Sequence, residues 1–298
     1  MNLAPIIIFA YNRPEHLRKT IESLSKNPLA GQSDVFIFSD GPKKQEDTLI
    51  ISHLRAYLKS IQGFKTIQIT EREKNWGLAN SVIAGVSEIV QQSGKAIVLE
   101  DDMICAPNFL NFMNDALNKY QNNTQIFSIS GYTFPIQIPA DYHLDVFISP
   151  RASSWGWATW QDRWEKADWQ VSDYQYFTNN NTLKQQFNQS GGYDLSLMLK
   201  KQMLGKVNSW AIRWTYTHFK NQAFCLYPLK SKIHNIGADK SGTHTPKTQK
   251  YAVELSESSY QLPEIIPINS LIINNIANFF KPKWYRRILN YWQYKEWV

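Results

Sequence analysis

The chain has 298 residues, with 32 Lys and Arg against 25 Asp and Glu, a formal net charge of +7 and a pI near 9.2. A hydrophobic share of 43% and a charged share of 19% exclude a disordered chain, and the length suits one large domain or two modest ones. The positive excess is diffuse apart from the last stretch of the chain, so no nucleic-acid partner is expected.

In chain order, Ala4–Phe9 is a continuous apolar run suited to a buried parallel strand, and Pro14 opens a helix with Leu17, Ile21 and Leu24 on one face. Asp34–Ser39 reads as a second strand closed by the turn Asp40-Gly41-Pro42. Leu49, Leu54, Tyr57, Leu58 and Ile61 recur at helical spacing, and Thr66–Thr70 makes a third strand. After Lys74-Asn75-Trp76-Gly77, the positions Leu78, Val82, Val86, Ile89 and Val90 mark an amphipathic helix that Gly94 stops. Ala96–Leu99 is a fourth buried strand running directly into Glu100-Asp101-Asp102. Pro107 opens a helix with Leu110, Met113 and Leu117 inward, and Gln125–Ser130 is a fifth strand ending at Gly131. This alternation predicts an α/β fold with a mostly parallel sheet, helices on both faces and ligands at the carboxyl ends of the strands. Beyond Tyr132 the pattern decays, and helices are predicted only around Asp194–Leu204 and Trp210–Phe219.

Cys105 and Cys225 are far apart and belong to no CxxC pair, which disfavours a disulfide framework or a cysteine-built zinc site and fits a reducing, cytoplasmic setting. No apolar run approaches the roughly 18 residues of a membrane span, and the first apolar stretch lacks a basic leader, so neither a span nor an export signal is expected. The aromatic share is high, 14% with 11 Trp and 15 Tyr, which suits sugar-stacking faces, core filling or membrane anchoring alike.

Glu100-Asp101-Asp102 is the most informative triplet. Three acids at the end of a buried strand repel one another, and a hard divalent cation such as Mn²⁺ or Mg²⁺ would relieve that repulsion; the plainer alternative is a solvated acidic turn. Arg13, where the first strand meets a helix N-terminus, suits a phosphate, and Asp40 suits a base N–H. A structural ion pair between Arg13 and Asp40 is the alternative.

Together the segments PIIIFAYNRPEHLRKTIESL, DVFIFSDGP, GLANSVIAGV, IVLEDDMICAPNFLNFM, SISGY and SSWGWATWQDRW resemble the GT-A fold nucleotide-sugar glycosyltransferases, in particular the N-acetylglucosaminyltransferase I-like branch and its bacterial polysaccharide-making relatives. They run from Pro5 to about Trp164, with weaker similarity through NSWAIRW, LYPLKS and NIGADKSGTH. The resemblance implies a metal-dependent transfer from a nucleoside-diphosphate sugar, such as a UDP-sugar, to a glycan or lipid-linked acceptor. It puts Glu100-Asp101-Asp102 in the family's DxD position, with Asp102 as metal ligand and Glu100 and Asp101 near ribose and sugar. Tyr11, Arg13 and Asp40 fall on nucleotide-holding positions. The expected organisation is a nucleotide-sugar half over 1–131, an acceptor-side half of the same domain over 132–262, and a basic aromatic tail over 263–298.

Trp155 or Trp157 suits stacking on a sugar or packing in a core, and Gly156 suits close approach of backbone to ligand. His244, in a Gly-rich polar loop with Asp239, suits the metal or the diphosphate, or else a plain surface role. An inverting transfer needs a carboxylate base, and relatives carry Asp where this chain has Asn208, so Asp194 is the substitute candidate with Asp239 behind it. Two readings compete. Sugar-phosphate nucleotidyltransferases carry a Gly-rich phosphate loop where this chain has Tyr-Asn-Arg-Pro, and a non-catalytic carbohydrate-binding or membrane-attached protein leaves the three strand-end acids unexplained. Lastly, 271–298 combines apolar, aromatic and basic residues in a mixture suited to peripheral contact with a membrane, with back-packing onto the domain as the alternative.

Overall fold

In chain order the elements are β1 (Ile6–Ala10), α1 (Pro14–Ser25), β2 (Asp34–Ser39), α2 (Asp47–Leu58), β3 (Thr66–Glu71), α3 (Leu78–Ser93), β4 (Lys95–Glu100), β5 (Met103–Cys105), α4 (Phe109–Lys119) and β6 (Ile126–Ser130). They continue with β7 (Val146–Ser149), β8 (Trp157–Trp160), α5 (Gln161–Trp164), α6 (Tyr174–Asn179), α7 (Asn181–Gly191), α8 (Leu195–Met203), α9 (Trp210–Lys220), β9 (Phe224–Pro228), β10 (Ile233–Asn235), α10 (Ser270–Phe279) and α11 (Trp284–Tyr294). The computed structural model describes residues 2–239 and 248–294.

β1 is buried along its whole length because both its faces are covered. Its side chains alternate: Ile6 and Ile8 join Leu17, Ile21 and Leu110 in one core layer, while Ile7 and Phe9 join Val82, Val86 and Val90 of α3 in the other. The sheet order is β3-β2-β1-β4-β8-β6-β9-β7. β1, β2, β3 and β4 are mutually parallel, β6 and β9 are parallel, and β8 and β7 run antiparallel to their neighbours. The expected α/β architecture with a mostly parallel sheet is therefore present, and its strand order reverses direction between β1 and β4, where a crevice opens beyond the strand ends.

The Trp-rich segment is where sequence and structure differ most. β8 is a central strand between β4 and β6, and Trp157 is buried in it, 4.8 Å from Trp210 and 5.5 Å from Trp164 by ring centroid. Trp157 is thus a core residue, which settles its half of the alternative. Gly156 has φ +56, and a Cβ there would meet Ile233 Cγ1 at 2.5 Å, so the close approach it permits is to a core side chain of β10. A third cluster, Val171, Phe177, Phe187, Leu195, Leu199, Ile212 and Tyr216, gathers the helices of the second half. The tail divides at Pro282: α10 packs back through Ile272 and Ile276, whereas α11 buries no residue.

His218 of α9 is fully buried, with Nδ1 2.9 Å from the Trp214 carbonyl and Nε2 2.8 Å from the Ser128 hydroxyl. Burial pushes its imidazole down to about 4, below the value of about 6.5 in an unfolded chain. The unfolded chain therefore binds the extra proton between these values, and stability is lost as pH falls across that window, by at most about 3 kcal/mol. His218→Gln should flatten the decline of melting temperature between pH 6.5 and 4.5; an unchanged decline would show that His218 does not cause it.

Candidate functional site

The acidic triplet leaves β4 at the reversal point, with Glu100 in register with Phe9 of β1. The turn is fixed from α1: the Thr20 hydroxyl donates to the Asp101 carbonyl at 2.8 Å and accepts from Met103 N at 3.0 Å. β10 pairs antiparallel with β5 and carries Asn235 to Asp102, whose Oδ1 accepts from Asn235 Nδ2 at 3.1 Å. Gly237 follows, and a Cβ at that position would collide with Asp102 Oδ2, so the chain passes over this carboxylate because residue 237 has no side chain.

Arg13 sits between β1 and α1. Pro14 at the first helical position disfavours the helical region for Arg13, which adopts φ −121 and ψ 70. Its guanidinium pairs with Asp101 and lies 2.9 Å from Asp102 Oδ2. The Arg13–Asp40 pair considered from sequence does not form; the partners are the two aspartates. Arg13 Nη1 is buried and finds no well-aligned hydrogen-bond acceptor among the described residues. The two carboxylates hold the guanidinium above its ordinary range. For Glu100, burial and the charges of Asp102 and Asp101 push the carboxyl up to about 8; for Asp101, burial raises it while Arg13 opposes.

Asp40 follows β2 and is buried. Its carboxylate accepts from Trp76 N at 2.9 Å and Gly77 N at 2.9 Å, which fixes the start of α3 at the crevice. Tyr11 donates its hydroxyl to Asp47 Oδ2 at 2.7 Å and accepts from Lys43 N at 3.0 Å, and burial with Asp47 raises the phenol to about 12. Its ring is what remains for a ligand. Tyr11, Arg13, Asp40, Glu100 and Asp101 line one cavity of about 340 Å³ together with Phe9, Asn75, Gly77 and Asn208.

A second cavity, of about 380 Å³, is lined by Trp155, Asp194, Arg151, Tyr251 and Phe280. It adjoins the first in sequence, because Asn208 lines one and Ser209 the other. Asp194 accepts from both Arg151 Nη1 (2.8 Å) and Nη2 (3.1 Å), and the Phe280 ring lies 3.4 Å from the guanidinium carbon. Trp155 meets Tyr132 and Tyr251 edge-on. Arg151, Tyr251 and Phe280 carry no motif and were not legible as site residues; only the bidentate geometry reveals Arg151. Asp239 lines neither cavity and pairs with His16 Nε2 at 3.1 Å, half-exposed. His244 lies outside the described residues.

Among the described residues no three His, Cys, Asp or Glu side chains are placed to hold one ion, so there is no all-protein metal cage. The donor chemistry nevertheless fits a hard cation: the available ligands are carboxylate oxygens that already gather one positive charge, and such ions are commonly held by one or two carboxylates plus substrate phosphates.

Residues 6–136 match the family model described as Glycosyl transferase family 2. Among solved structures, the chain is similar to TarS 1-349 of S. aureus at 9% identity and a TM-score of 0.42, over 79% of this chain and 61% of that one. It is also similar to that protein in complex with UDP-GlcNAc, at 11% identity and a TM-score of 0.36, over 53% and 46% of the two chains. A third is the mannosyltransferase PcManGT from Pyrobaculum calidifontis in complex with GDP-Man and Mn²⁺, at 9% identity and a TM-score of 0.35, over 54% and 48%. The chain thus spans about three fifths of the length of the first and about half of the other two.

The raised Glu100 carboxyl gives a pH test. Its folded value lies above the unfolded value of about 4.3, so its contribution to stability is full below the unfolded value and lost as pH rises through about 8. Glu100→Gln should raise the melting temperature at pH 8.5 and leave it nearly unchanged or lower at pH 5; an equal effect at both would mean that Glu100 does not titrate in this range.

Proposed function

We propose that this chain transfers a sugar from a nucleoside-diphosphate donor, a UDP-sugar by the resemblance of its motifs, to a glycan or lipid-linked acceptor in surface polysaccharide synthesis, by an inverting mechanism. Within glycosyltransferases it stands beside the N-acetylglucosaminyltransferase I-like branch on its ordered motifs. The reaction belongs to the cytoplasmic side, a reading supported by two buried free thiols. The observation that carries the proposal is the convergence of Tyr11, Arg13, Asp40, Glu100 and Asp101 on one crevice at the strand-order reversal, within the stretch matched by the family model.

In this reading Asp40 accepts from the nucleobase with lone pairs left over from Trp76 and Gly77, and Tyr11 offers its ring to the base or ribose. Arg13, whose Nη1 is buried and lacks a well-aligned acceptor, turns to the diphosphate. Glu100 and Asp101 accept hydroxyls of ribose and sugar. Asp102 would hold Mn²⁺ or Mg²⁺, which when bound supplies positive charge against the departing diphosphate. The second cavity receives the acceptor: Trp155 offers an apolar ring to a sugar face, and Asp194 takes the acceptor hydroxyl's proton. Both Asp194 oxygens accept from Arg151, so proton uptake requires that pair to loosen.

Two measurements test these roles. Asp102→Asn should remove the Mn²⁺-dependent part of the thermal stabilisation given by UDP, which in the wild type is about 2.7 kcal/mol at a ligand concentration about 100 times Kd. If the variant keeps it, the triplet is an acidic turn. Asp194→Asn should lower turnover by about 100-fold or more with donor affinity little changed. Normal turnover would transfer the base role to Asp239 or exclude a mechanism that needs a base.

A further inference from the structure

α11 is amphipathic in the reverse sense from an ordinary surface helix. Trp284, Tyr285, Ile288, Leu289 and Trp292 fall on one face by helical spacing. That face is turned to solvent, with Trp284 74%, Leu289 58% and Trp292 72% exposed. The partly buried positions are Arg287, Asn290 and Tyr294, on the opposite side, and the Tyr294 ring lies 5.0 Å from Lys201 Nζ at the end of α8. α10, a few residues earlier, does the usual thing and buries Ile272 and Ile276.

We propose that α11 lies in the surface of an anionic lipid bilayer, apolar face inward. The charge pattern selects this occupant. Residues 281–294 contain Lys281, Lys283, Arg286 and Arg287 and no Asp or Glu, and Lys201 of α8 feels the positive charge of Arg286. By helical spacing Lys283, Arg286 and Arg287 lie away from the apolar face, so a flat protein surface seated on that face would not reach them. A headgroup layer instead takes Trp and Tyr at its own depth and Lys and Arg against its phosphates. At about 1.5 Å rise per residue the 11-residue helix is far too short to cross, and no helix among the described residues is long and apolar enough to do so. The earlier part of the expected membrane segment, Ile272 to Phe280, is excluded because it is packed on the domain. Lys295 and Trp297 lie outside the described residues.

The inference does not rest on sugar transfer, and its test measures binding alone. The full chain should float with vesicles of phosphatidylcholine and phosphatidylglycerol in equal amounts, and much less with phosphatidylcholine alone. Lys283→Gln with Arg286→Gln should weaken binding to the anionic vesicles by about 30-fold at low salt, from about fivefold per cation. Trp284→Ser with Trp292→Ser should abolish it, with the melting temperature unchanged because both side chains are exposed. Three results would overturn the proposal: no flotation of the full chain with anionic vesicles, flotation indifferent to these substitutions, or a dimer in light scattering that the tryptophan substitutions dissolve.

Discussion

Glu100, Asp101 and Asp102 leave a strand buried on both faces in immediate succession, and nothing in the local backbone separates their charges. The fold answers with one guanidinium. Arg13 is delivered by the turn between β1 and α1, where Pro14 fixes the helix start, and it meets Asp101 and Asp102 while Glu100 is left with a raised carboxyl. Because β1 and β4 are parallel neighbours, the arginine and the acids emerge at the same edge of the sheet. The rest of the site is arranged around that compensation: Thr20 ties the acid turn to α1, and β10 brings Asn235 and Gly237 across Asp102.

Such a pairing serves as a charge reservoir. In contact, the arginine offsets one of the two aspartate charges, and each group could be redirected toward a ligand of opposite sign. In the proposed function a diphosphate would recruit the arginine, and a divalent ion would compensate the aspartates that the arginine releases. This is the physical sense in which anionic donor and cation would bind together at this edge, each relieving the charge that the other exposes.

The first half of the fold was legible because its strands are fully apolar and its helices have clean 3.6-residue faces; the observed β1, β2, β3, β4 and β6 lie within a residue or two of their expected places. β8 was not, since Trp157–Trp160 is short and its tryptophans suit a ligand platform as well as a core. α6 and α7 were missed because their apolar residues meet other helices in a local cluster rather than the central sheet, and β7 and α5 because each is only four residues long. At the site, the residues at strand ends could be named from sequence because the topology fixes where strands end. The contact partners could not: Arg13 with Asp101 and Asp102, and Arg151 with Asp194, depend on side chains brought together over 40 or more positions of sequence.

The central claim is that the crevice beyond β1, β2 and β4 binds a nucleoside diphosphate with a divalent cation. Hydrogen exchange of the full chain with UDP and Mn²⁺, against UDP alone and Mn²⁺ alone, tests it most directly. The account predicts slowed exchange with both present in the backbone around Tyr11–Arg13, Asp40, Trp76–Ala79 and Glu100–Met103, with weaker effects from either alone. Protection confined to other parts of the chain, or none in these four stretches at saturating ligand, would contradict it.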